Sequence, residues 1–165
     1  MATAIRIYGD TVLRQKAAPV KQIDAEVKKI CERMVEAMLR ANGAGIAAPQ
    51  IGVSKRIVVL DLEGVFHVLI NPEIVEVSEA EEESEEGCLS VPGVTAPVVR
   101  KAKVTVRGLT PDEKPMDVEG EGLMARAIQH EMDHLDGILF IDHLSAVRRR
   151  SLLKEYERIQ REKAS

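Results

Sequence analysis

The chain has 165 residues, 45% hydrophobic and 30% charged, with 2% aromatics, no Trp and a net charge of −4 at pH 7. That balance suits one globular domain, 1–165, whose core is built from aliphatic side chains. The acidic charge argues against a general DNA-binding surface, the scarcity of aromatics against a stacking platform for single strands, and the lack of any ~18-residue apolar run against a membrane span.

Two cysteines, Cys31 and Cys88, are too few for a disulfide scaffold. With no apolar leader at the N-terminus, they point to a reducing cytoplasm. Residues 1–22 read as extended, with a turn at Gly9-Asp10 and Pro19 excluding a helix. From Ile23 the period changes: Ile23, Val27, Ile30, Met34 and Met38 predict a helix, capped by Asp24 and stopped at Asn42-Gly43. Cys31 borders its apolar face and reads as an inert core thiol.

The stretch Gly43–Gly52 is small and nearly uncharged, with Gln50 its one long polar side chain. It reads as a tight loop. Its glycines and alanines suit backbone brought close to a ligand or to another element. Arg56–Leu62 and Val65–Asn71 predict a hairpin around Gly64; Pro72 ends the second strand and Glu73–Ser78 resumes. Glu79–Glu86 holds six glutamates in eight positions and reads mostly as a solvated loop. Val91-Pro92-Gly93 predicts a turn. Val98–Arg100, Val104–Leu109 and Pro115–Val118 predict further strands, and Ser145 caps a last helix with Val147, Leu152, Tyr156 and Ile159 inside. The fold class is therefore α+β, mostly antiparallel sheet around a central helix, with an N-terminal and a C-terminal helix.

That central helix carries Gln129-His130-Glu131-Met132-Asp133-His134-Leu135-Asp136-Gly137. Residues four apart on a helix lie on one face, so His130 and His134 aim two imidazoles at one point. Glu131, about 100° round the helix, reaches water held there. Two neutral nitrogens suit a divalent metal, and the carboxylate suits a general base. A catalytic site of this kind takes a third protein ligand. Phe140 stands where a metzincin protease has its third His, and Glu155 and Glu157 fall on a charged helix. Cys88 is the other candidate; its acidic neighbours disfavour a free thiolate nucleophile, but a metal would deprotonate it. A zinc endopeptidase and a non-catalytic metal-binding module are the rival readings.

Three motifs, Gly43-x-Gly45-x-Ala47-Ala48-x-Gln50, Glu86-Gly87-Cys88-Leu89-Ser90 and Gln129-His130-Glu131-x-Asp133-His134-x-x-Gly137, resemble those of the peptide deformylases in residues, order and spacing. The resemblance covers nearly the whole chain. It implies hydrolysis of the formyl group from N-terminal formyl-methionine of new polypeptides, with release of formate. It further implies Cys88, His130 and His134 as metal ligands and Glu131 as proton carrier. The Gln50 amide and the Leu89 backbone N–H become oxyanion donors, and Gly45 a backbone partner for N-formylmethionyl peptides. Ile46, Leu89 and Ala127 are expected around the methionine side chain, and Gly87 is expected among the substrate-binding residues. The implied metal is Fe²⁺, with Ni²⁺, Co²⁺ or Zn²⁺ able to substitute. Arg148-Arg149-Arg150 is either a solvated face or a contact for ribosomal RNA.

Overall fold

A computed structural model describes residues 2–165. Helix α1 spans Ala25–Arg40, and the Asp24 side chain accepts from the Val27 N–H at 3.0 Å, as an N-cap does. Its face of Val27, Ile30, Met34, Ala37 and Met38 is buried together with Cys31, whose thiol burial pushes up to about 11.

Strands β1 (Gly45–Ala47), β2 (Ile57–Leu62), β3 (Val65–Val77), β6 (Lys103–Leu109) and β7 (Pro115–Glu121) form an antiparallel sheet in the order β1-β2-β3-β6-β7. Strands β4 (Glu81–Cys88) and β5 (Val91–Lys101) form a separate hairpin. Helix α2, Leu123–Leu135, is central and α3 spans Ala146–Ala164. The uninterrupted apolar run of β2 has a simple cause: both faces are covered. Ile57 and Val59 pack toward α1 with Ile30, Met34 and Met38. Val58 and Leu60 pack toward α2 with Ala125, Ile128 and Leu135. A third cluster joins Val91, Val94, Ala96 and Val98 of β5 to Phe140, Ile141, Leu152 and Tyr156. This is the expected α+β architecture, with α2 held against the sheet and crossed by the hairpin.

Several local expectations are corrected. The acidic stretch is strand β4, not a loop: Glu82 pairs with Arg100, Ser84 with Val98 and Glu86 with Ala96. A partner strand distant in sequence overrides the poor intrinsic β-propensity of Glu. The turn expected at Val91-Pro92-Gly93 lies at Leu89-Ser90, and β5 already begins at Val91. Pro72 does not end β3; pairing with β6 continues across an irregularity between Ile70 and Glu73. There Asn71 adopts a positive φ of 53° and its amide bridges the N–H and C=O of Val20, both at 2.8 Å. The Gly43–Gly52 stretch holds edge strand β1 and a 3-10 turn, Ala48–Ile51. Val147 is 72% exposed, so the inner face of α3 is Leu152 and Tyr156 with Ile159 beside them.

Candidate metal centre

Helix α2 ends in a Schellman motif immediately after His134. The Gly137 N–H donates to the His134 carbonyl (3.2 Å) and the Ile138 N–H to the Asp133 carbonyl (3.0 Å). Gly137 has φ 74°, and a Cβ there would lie 2.6 Å from the Arg14 carbonyl oxygen, so both conformation and space require glycine. The stop leaves His130 and His134 on the inner face, 8% and 1% exposed.

Cys88 arrives from the hairpin. The β4–β5 register shifts between Gly87 and Cys88, and such an irregularity re-aims a side chain at the end of a strand. Cys88 Sγ lies 3.3 Å from His134 Nε2, which lies 3.3 Å from His130 Nε2. One ligand atom from each residue falls within 4.8 Å of the others. Two nitrogens bonded at ~2.0–2.1 Å to a tetrahedral cation are ~3.4 Å apart, so the spacing fits a divalent ion. Neither Glu155 nor Glu157 is near: both are exposed on α3, where Glu155 pairs with Arg158. Phe140 stacks on the His130 ring, centroids 6.4 Å apart, as packing rather than as a ligand's replacement.

The orientation of His130 is set by a residue that the sequence hid in the acidic run. His130 Nδ1 is 2.7 Å from Glu86 Oε2, which leaves Nε2 bare for the cation. Glu86 is 5% exposed, and also accepts from Arg100 Nε (3.1 Å), Arg100 Nη2 (2.7 Å) and Arg126 Nη1 (2.9 Å). Burial alone would raise its pKa; the hydrogen bonds from His130 and Arg100 outweigh that and hold it well below the usual carboxylate range. Asp133 belongs to the same network, accepting from Arg100 Nη1 at 2.7 Å and facing His143 Nε2 at 2.8 Å. The available signals were the motif position of Glu86 and a charged residue, Arg126, one turn before His130 on the inner side of α2.

Electrostatics separate the two imidazoles. Burial works against a charged His130, but Cys88 and Glu86 hold its pKa well above the ordinary value. Burial, reinforced by His130, drives that of His134 well below. Metal-free, His130 therefore carries the extra proton of an imidazolium while His134 is neutral, and a cation would displace that proton. Burial pushes Glu131 up to about 7, and its Oε1 is buried with no protein partner, as is His134 Nδ1. A carboxyl of that pKa both accepts and returns a proton near neutrality.

A cavity of about 640 Å³ opens on this group, lined by Gly43, Gly45, Gln50, Gly87, Leu89, Ala127, His130 and Glu131 among others. Gln50 is 1% exposed and fixed at both ends: its Oε1 accepts from the Ala47 N–H (2.9 Å) and its Nε2 donates to Ser90 Oγ (3.1 Å). Ile46, expected in the lining, is not there. Side chains alternate along β1, so it points to the face opposite Ala47 and packs, fully buried, in the α1 cluster.

A polypeptide deformylase family model matches residues 2–150. The chain belongs to the polypeptide deformylase family. Peptide deformylase of Natranaerobius thermophilus is 51% identical over 144 residues, 87% of this chain and 92% of the relative. That of Thermodesulfovibrio yellowstonii is 47% identical over 158 residues, 93% and 95% of the two chains. A crystal structure of a peptide deformylase from Legionella pneumophila superposes with a TM-score of 0.94 at 42% identity, covering 99% of this chain and 98% of that one. One from Synechococcus elongatus, in complex with actinonin, gives 0.89 at 40% identity, covering 94% and 86%. As a deformylase-family member the chain is a metal-dependent hydrolase, and the Cys88, His130 and His134 group fits a metal-dependent enzyme.

Proposed function

We propose that this chain removes the formyl group from the N-terminal formyl-methionine of newly made polypeptides, with Cys88, His130 and His134 holding the cation. The cation, when bound, supplies the Lewis acidity that makes water nucleophilic near neutral pH. Glu131 takes the proton of the attacking water and returns it to the departing amine; its carboxylate, without a protein partner in the cavity that Cys88 and His130 also line, is the observation that carries this reading. Gln50 Nε2 and the Leu89 N–H donate to the oxygen that gains charge as the formyl carbon turns tetrahedral. With Oε1 held on the Ala47 N–H, the amide nitrogen is the end turned toward Cys88, 3.8 Å from its Sγ. Gly45 and Gly87 line the same cleft and offer backbone to an extended peptide, and Ala127 with Leu123 offers apolar surface to the methionine side chain.

For the metal we propose Fe²⁺. One soft thiolate with two imidazoles also accepts Zn²⁺, Ni²⁺ or Co²⁺, so the identity follows from the family resemblance and not from donor chemistry. The two unpaired cysteines and a nascent-chain substrate support a cytoplasmic location, and the interlocking clusters support one domain over 1–165. Arg148, Arg149 and Arg150 open α3, and among the described residues none of them makes an ion pair. Cations of this kind fit a solvated face; contact with ribosomal RNA is the sharper reading, tested by salt-dependent co-sedimentation with ribosomes, and equal sedimentation of an Arg148/Arg149/Arg150→Ala variant refutes it.

The deciding experiment is elemental analysis of anaerobically purified protein with formate release from formyl-Met-Ala-Ser measured on the same sample. The expected result is one iron per chain and activity that a chelator abolishes. A Glu131→Gln variant should keep the metal and lose about 10²–10⁴-fold in kcat. Full activity in that variant refutes the proton role.

A further inference from the structure

Gly45 has a φ outside the left-handed region, so its conformation does not call for glycine. Its surroundings do. A Cβ added there would lie 2.8 Å from Glu131 Oε2, 3.2 Å from Glu131 Cγ and 3.1 Å from the Val59 carbonyl oxygen. Two of these three atoms belong to the side chain that moves the proton. Ala47, two residues on and so on the same side of β1, packs against α2 with Ala125 and Ile128. Toward α2, then, this edge strand presents nothing larger than a methyl group, and the Glu131 carboxylate rests on the bare Cα of Gly45. Neither oxygen of this carboxylate has a hydrogen-bond partner among the described residues, and Oε1 is the enclosed one, so packing holds the group in place.

We propose that Gly45 is a positioning residue for proton transfer. Its missing side chain lets the Glu131 carboxylate sit against β1 and so fixes, by packing, where that carboxylate meets water. The proposal rests on the reading of Glu131 as proton carrier, and gives Gly45 a role distinct from backbone bonding to the peptide. A methyl at position 45 pushes on the carboxylate rather than on the peptide. The loss then falls on kcat.

The test is a double-mutant cycle on metal-loaded protein with formyl-Met-Ala-Ser, comparing wild type, Gly45→Ala, Glu131→Asp and the double variant. Gly45→Ala should lower kcat by roughly 30-fold or more with KM within about twofold. Metal content should be unchanged, as should binding of the unformylated product Met-Ala-Ser by calorimetry. Aspartate, one methylene shorter, withdraws from the new Cβ, so adding Gly45→Ala to Glu131→Asp should cost less than about threefold more. A raised KM with unchanged kcat, weakened product binding, or losses that simply multiply would overturn the proposal. If Gly45→Ala is insoluble, a soluble double variant supports it and an insoluble one overturns it. A wild type without formate release overturns the functional reading and the proposal with it; a Gly45→Ala variant with wild-type kcat overturns the proposal alone.

Discussion

Replacing Glu86 with glutamine tests whether the metal corner depends on the buried charge network behind it. Glu86 accepts from two nitrogens of Arg100, one of Arg126 and the Nδ1 of His130, all within 3.1 Å. The substituted amide would keep one acceptor and turn an NH₂ either toward an arginine, which only donates, or toward His130 Nδ1, which would have to give up its proton to accept. Arg100 and Arg126 are 5% and 6% exposed, so their charges would remain buried without Glu86 to balance them, although Asp133 still pairs with Arg100. Breaking a buried pair costs about 3–5 kcal/mol, which for a chain of this size lowers Tm by roughly 6–20 °C. Loss of the partner that orients a metal-binding His also weakens the metal about 10–100-fold. Thermal unfolding of chelator-treated protein isolates the first effect, and competitive metal titration the second.

The pH dependence of the same variant has a definite sign. The folded pKa of Glu86 lies below its unfolded value, so its contribution is complete above the ordinary carboxylate pKa of ~4.3 and is lost as pH falls below it. The stability gap between wild type and Glu86→Gln should therefore hold from pH 7 to about 5 and shrink toward pH 2. A gap under about 1 kcal/mol at pH 7, with metal affinity within twofold of wild type, would refute the reasoning.

Gln50→Ala should retain metal and lose about 10²–10³-fold in kcat, read by formate release; a change confined to KM would refute its role toward the oxyanion. Ile46→Ala should destabilise the fold by about 2–5 kcal/mol in denaturant unfolding while leaving KM for formyl-methionyl peptides unchanged, because Ile46 packs under α1. In metal-free native protein at pH 7, a thiol reagent followed by mass spectrometry should label Cys88 and spare Cys31, which is 5% exposed and held protonated by burial. Loading the metal should then protect Cys88. Metal affinity should also fall as pH drops from 8 to 6, because the cation displaces the proton that Cys88 and Glu86 keep on His130.

Sequence alone determined what short-range periodicity encodes. Helical spacing and the caps Asp24, Gly137 and Ser145 marked the three helices. The four-residue step from His130 to His134 set two imidazoles on one face, and three separated motifs carried the family. Contacts between distant segments decided the rest, since no local pattern records them. Glu81–Glu86 is a strand because β5 pairs with it, and Glu86 is buried because Arg100 and Arg126 neutralise it there. Ile46 turned from cleft to core because β1 is an extended strand, whose alternation sends neighbouring side chains to opposite faces. Above all, the meeting of Cys88 with His130 and His134 depends on a β-hairpin crossing α2. That is a matter of packing, which the order of residues specifies only through the whole fold.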